Sequence, residues 1–116
     1  MATGKITGNI PSTTDIGVSS YTGTGHYFKK NVTKVGKWLH IEFAAQYDSP
    51  VPASGSLGNL PSGYRPSANR VVAAIIYAGS ATNACPWAAT IESGGAIKQG
   101  YTGSCCGVFI DAWVEA

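Results

Sequence analysis

Leu57-Gly58-Asn59-Leu60-Pro61-Ser62-Gly63-Tyr64-Arg65-Pro66-Ser67-Ala68-Asn69-Arg70-Val71-Val72-Ala73-Ala74-Ile75-Ile76-Tyr77-Ala78 is the stretch on which the reading of this chain turns. Its first half is a corner. Pro61 and Pro66 each fix one φ angle and hold the residue before them extended. Gly63 between them permits a turn that needs positive φ. Its second half alternates Val71, Ala73, Ile75 and Tyr77 with Val72, Ala74, Ile76 and Ala78, so both faces of one strand are apolar. Such a strand is expected to be buried on both sides. A proline-locked corner therefore feeds a central strand, around which the rest should pack.

Upstream, Lys34 to Gln46 reads as a strand with Leu39, Ile41 and Phe43 inward and Trp38, His40 and Glu42 on the other face. Tyr27 to Lys30 is a shorter strand, with a turn expected at Asn31-Val32. Tyr47 to Gly58, with Asp48, Pro50, Pro52 and Gly55, reads as an exposed loop. Downstream, Gly79 to Pro86 is a loop. Trp87 to Glu92 and Ala96 to Tyr101 form a hairpin about Ser93-Gly94-Gly95, because Gly-Gly suits a tight turn. Thr102 to Cys106 is a further loop. Gly107 to Glu115 is the last strand, with Val108, Ile110, Ala112 and Val114 on one face and Phe109, Asp111 and Trp113 on the other. No segment shows capped helical periodicity. The expected fold class is all-β, a jelly-roll-like antiparallel β-sandwich. Residues 1–26 read as a polar, glycine-rich lead-in with short edge strands, and residues 27–116 as the sandwich domain.

The heptapeptide Leu60-Pro61-Ser62-Gly63-Tyr64-Arg65-Pro66 resembles a corner that recurs in the receptor-binding tip domains of bacteriophage tail fibres and baseplates. Lys34-Val35-Gly36 upstream is similar to a strand element of that family. Ser93-Gly94-Gly95-Ala96-Ile97 and the closing strand Val108 to Val114 follow in the family's order. The resemblance spans roughly Tyr27 to Glu115. It implies a sandwich assembled as a trimer about a three-fold axis. It also implies a place in the virion tail, after synthesis in the bacterial cytoplasm. Other tail proteins would be met through the N-terminal side.

Composition narrows the function classes. Only 12% of the 116 residues are charged, about half the usual share. Either a neighbouring subunit covers part of the surface, or the surface is a neutral Gly/Ser/Thr-rich one. Net charge is +2 with the basic residues scattered, which argues against nucleic acid as a partner. No apolar run is long enough for a membrane-spanning helix. Cys85, Cys105 and Cys106 match neither a disulfide framework nor a paired zinc site, so reduced thiols are expected. No cofactor is expected.

Enzyme signatures are missing: there is no nucleophile elbow, phosphate loop or His-Glu-x-x-His. A carboxylate pair such as Glu42 with Asp111 could in principle flank a glycosidic bond, but six acids in all make a structural role the commoner fate. Binding is better supported. Trp and Tyr offer flat apolar faces with polar edges, on which sugars stack while acids and amides meet their hydroxyls. Three loops, Tyr47–Ser56, Ser80–Trp87 and Tyr101–Cys105, are the expected recognition surface. They supply Trp87, Asp48, Tyr47, Asn83 and Tyr101 as ligand-binding candidates. The function expected is recognition of a bacterial cell-wall or capsular saccharide by a non-enzymatic homotrimer. A ligand-free trimerisation, capping or decoration module is the alternative, and a polysaccharide-degrading domain a third possibility.

Overall fold

The computed structural model describes residues 10–18, 25–52, 55–78, 83–100 and 103–116. Nine strands fill them: β1 (Ser12–Asp15), β2 (Gly17–Val18), β3 (Gly25–Val35), β4 (Trp38–Val51), β5 (Ser56–Asn59), β6 (Arg70–Ala78), β7 (Ala84–Ile91), β8 (Ala96–Gln99) and β9 (Cys105–Glu115). They form one sheet in the order β1-β3-β4-β9-β6-β7-β8-β5-β2, with antiparallel pairing throughout. The sheet curls almost into a barrel. Its two outermost strands are consecutive in sequence, and Ile16 alone separates them. One short segment therefore bridges both edges of the sheet. Ile16 is buried at this joint and donates its backbone N–H to the Lys30 carbonyl at 2.7 Å.

The core is what the inward positions of the curled sheet enclose. Val32 of β3, Leu39, Ile41 and Phe43 of β4, Ile76 of β6, Ile91 of β7, Ile97 of β8 and Ile110 of β9 are all fully buried there. Each such side chain stabilises the fold by roughly 1.5–3 kcal/mol through removal from water. The inward phases read for β4 and β9 hold.

Three expectations are corrected. First, β6 is buried on one face only. Ala74, Ile76 and Ala78 point into the core, whereas Val71 is 74% exposed and Ile75 is exposed beside it. All nine strands go into a single layer, so among the described residues no second layer covers its outer face. Second, the turn before β4 falls at Gly36-Lys37 and not at Asn31-Val32. β3 runs straight through Val32, whose side chain pairs with Ile41 in the core. Third, 47–58 is not one exposed loop. β4 continues to Val51, β5 begins at Ser56, and Tyr47, Val51 and Leu57 are buried.

The corner is built as read. Gly63 has φ +89°, and the Tyr64 N–H closes the turn onto the Pro61 carbonyl at 3.1 Å. Lys34 Nζ donates to the Gly63 carbonyl at 3.2 Å, and the hydroxyls of Tyr64 and Ser12 meet at 2.5 Å. At the same end lie the β3–β4 turn, the β7–β8 hairpin and Ala116, whose N–H reaches the Lys37 carbonyl at 2.7 Å. The opposite end is marked by Cys105, which pairs with Val51 of β4 on one side and Ala78 of β6 on the other. β4 and β6 end there and β9 begins there.

Candidate functional site

The outer face across β3, β4 and β9 is set by strand register. Thr33, His40 and Trp113 form one cross-strand row; Asn31, Glu42 and Asp111 the next; Lys29, Ala44 and Phe109 the third. Ile75 of β6 extends the third row beyond Phe109. These side chains share a face because alternate residues of a strand do, and pairing keeps the phase from strand to strand.

Polar and aromatic groups alternate down this face. The His40 ring lies flat on the Trp113 indole, with centroids 4.4 Å apart and planes 2° from parallel. His40 Nε2 meets Asp111 Oδ1 at 2.6 Å, and His40 Nδ1 stands 3.9 Å from Glu42 Oε1. Lys29 Nζ donates to Glu42 Oε2 at 2.5 Å and Asn31 Nδ2 to Glu42 Oε1 at 3.1 Å. The hydrogen bond from Lys29 holds the Glu42 carboxyl below the usual carboxylate range, helped by that from Asn31. The same bond raises the Lys29 ammonium above its ordinary value.

Large apolar side chains stand exposed around this polar cluster: Phe28, Phe109 and Ile75 toward one end, Trp113 and Trp38 toward the other. Phe109, about half exposed at 49%, forms a ridge with a shallow depression on each side. One, of about 190 Å³, lies among Phe28, Ala44 and Tyr77. The other, of about 220 Å³, lies among Ile75, Pro86, Trp87 and Asp111. Both fall below the roughly 300–1,000 Å³ of an enclosed small-molecule pocket. They suit a ligand that lies on a surface, not one that is engulfed.

Of the five residues expected at the site, Trp87 contributes to a depression on this face and stands apart from the others. Trp87 is among the residues lining the second depression, yet its ladder partner Ala74 points into the core, so register gives its side chain the inward phase and not that of Phe109. Asp48 is exposed near the far end of β4. Asn83 is exposed at the same end, but its amide is committed. Nδ2 donates to the Ala78 carbonyl at 2.9 Å, and its backbone carbonyl accepts from the Ala78 N–H at 3.0 Å. It closes the connection between β6 and β7. Tyr47 is corrected from a stacking surface to a core residue. It is buried against Tyr27, ring centroids 6.2 Å apart, and burial pushes its phenol well above the usual range. Its hydroxyl meets no hydrogen-bond partner among the described residues. Tyr101 lies outside the described residues.

From sequence, Trp38, His40 and Glu42 share one face of their strand and Glu42 pairs with Asp111 as a conceivable carboxylate couple, but the loops are the first-choice site. The signal for the face was present, since alternation in β9 puts Phe109, Asp111 and Trp113 on one side. What sequence lacked was the knowledge that no described residue covers that side. No family model matches the chain, and no curated protein does.

Proposed function

We propose that this chain is the receptor-binding tip domain of a bacteriophage tail fibre or baseplate, a jelly-roll-like module that works as a homotrimer in the virion. It binds a bacterial surface saccharide without cleaving it. The observation that carries this reading is the groove beside Phe109, bordered by Ile75, Pro86 and Asp111. It is an open apolar trough with the Asp111 carboxylate at its border and His40 one hydrogen bond further on. Apolar surface beside carboxylate and imidazole edges is what a sugar ring requires, with its alternating C–H faces and hydroxyl rim.

Two further features support it. Ser12 begins the first described strand at the corner end, whereas β4 and β6 end and β9 begins at the opposite end. That polarity suits a domain mounted by its N-terminal side. A cleaving pair would need one carboxyl with a raised pKa to act as general acid. Lys29 and Asn31 drive Glu42 the other way, which unsuits Glu42 for that acid role.

A second reading, a ligand-free trimerisation or capping module, is favoured by the same exposed apolar side chains, Phe28, Ile75 and Phe109. A subunit boundary would bury them. The experiment that separates the readings is binding of the parent and of Trp87→Ala and Phe109→Ala to host cells and purified cell-wall saccharide. Particle mass is followed in parallel by light scattering. Loss of binding with unchanged mass supports the saccharide groove. Loss of the oligomer with no saccharide bound by the parent supports the structural module. Release of new reducing ends would refute both.

A further inference from the structure

We propose that His40 and Glu42 hold a divalent transition cation on the outer face of β4, with Asp111 of β9 fixing the imidazole from its other nitrogen. The inference is independent of what the domain recognises and rests on the geometry of these three side chains.

His40 and Glu42 are two apart on one strand, and Asp111 is the cross-strand partner of Glu42. All three therefore converge on one face. One donor atom from each lies within 4.8 Å of the other two. No other such group occurs among the described residues. The imidazole stands between two carboxylates. A neutral imidazole has one N–H and one lone pair. With Nε2 at 2.6 Å from Asp111 Oδ1, the N–H is used there. The Nδ1 lone pair then faces Glu42 Oε1 across 3.9 Å. That gap is too long for a hydrogen bond, and it sets two acceptors against each other.

A cation between them answers both. Donors 2.0–2.2 Å from one ion stand up to about 4.4 Å apart, so the observed separation needs little movement. The bond from Nε2–H to Asp111 is the outer carboxylate–histidine contact that orients a ligating imidazole and raises its basicity. Trp113 stacks on the ring face, and lone pairs lie in the ring plane, so the stack steadies the ring and leaves both nitrogens open. Asn31 takes one lone pair of Glu42 Oε1 and Lys29 sits on Oε2, so the cation would use the second lone pair of Oε1. One imidazole with carboxylate oxygen suits zinc, cobalt, nickel or manganese better than calcium or magnesium. Two protein ligands leave the remaining positions to water.

The test uses the full chain with zinc by titration calorimetry and with cobalt by visible absorption. The expected result is one cation per chain and a cobalt spectrum without a thiolate charge-transfer band. Glu42→Gln, which keeps the ring stack, should weaken binding at least about tenfold, as should His40→Ala. Asp111→Ala should cost roughly 10–100-fold. Asp111→Asn should restore part of that, because its Oδ1 still accepts from Nε2–H. No zinc heat at millimolar concentration, binding that survives both His40→Ala and Glu42→Gln, or a thiolate band pointing to the cysteines would each overturn the proposal. So would equal loss in Asp111→Asn and Asp111→Ala, as regards the role of Asp111.

Discussion

Arg65 turns back on its own corner and donates its Nε–H to the carbonyl of Leu60, five residues earlier, at 2.8 Å. The Leu60 N–H in turn takes the Gly95 carbonyl at 2.8 Å. The guanidinium serves the backbone of the corner.

Gly95 is the tightest point of this arrangement. It has φ +100°, and a Cβ there would lie 2.6 Å from Arg65 Nε and 2.7 Å from the Leu60 carbonyl oxygen. At Gly63 the φ is +89°, but a Cβ would meet nothing within 4 Å. Gly63→Ala should therefore cost only backbone strain, about 1–2 kcal/mol. Gly95→Ala should cost about 2–4 kcal/mol, strain plus displacement of Arg65. Urea unfolding of the two variants checks the order, and equal losses would count against it.

Phe109 should be worth little to the fold of one subunit. Its ring is half exposed on a face without a covering layer, and surface changes of this kind usually stay within about 0.5 kcal/mol. Phe109→Ser should leave the urea midpoint of a dilute, monomeric sample nearly unchanged and yet impair saccharide binding or assembly. A large fall in the midpoint would mean that Phe109 is packed in a way its exposure does not reveal.

The cysteines should sort by burial. Cys105 is buried, and burial pushes its thiol up to about 11. The nucleophile is the thiolate, so Cys105 should resist iodoacetamide in native protein at mildly alkaline pH. Cys85 and Cys106, each half-buried and free, should react first. After denaturation without reductant all three should alkylate. Peptide mass mapping reads the order, and early labelling of Cys105 would contradict it.

Glu42 should contribute to acid sensitivity. Its pKa is depressed in the folded state, chiefly by Lys29. The stabilisation is thus present above the ordinary value near 4.5 and is lost as pH falls through the depressed one. Lys29 mirrors this at the alkaline end: its raised pKa gives stability below 10.5 that is lost as pH climbs past the folded value. The melting-temperature gap between parent and Glu42→Gln should close as acid is added. A gap constant from pH 7 to pH 3 would show that the ion pair does not set it.

Strand phases and the corner could be read from sequence because they depend on local chemistry. Proline fixes φ at Pro61 and Pro66, and alternation fixes the inward set Leu39, Ile41 and Phe43. What failed depended on the number of layers. Val71 and Ile75 look like core residues in any window, and only the global curl leaves them outside. Tyr47 looked like a loop residue because Asp48, Pro50 and Pro52 follow it, yet β4 carries it into the interior. Trp87 was reachable by type alone. Phe109 and Asp111, which line the same depression, stand 22 and 24 residues further on, and no spacing rule joins them to it.

The joint at Ile16 has a consequence for how the chain comes to its final form. Residues 12–18 leave the ribosome long before their second partner. β1 can pair once β3 exists, but β2 must wait for β5 at 56–59 and for the hairpin that positions it. The earliest-made strands are thus the last to lock, a non-local closure of the kind that slows folding. Until it happens, β5 presents an unpaired edge that another chain can occupy. The seven residues fit the gap in a neighbouring copy as well as their own, so crowding during synthesis favours strand exchange between copies.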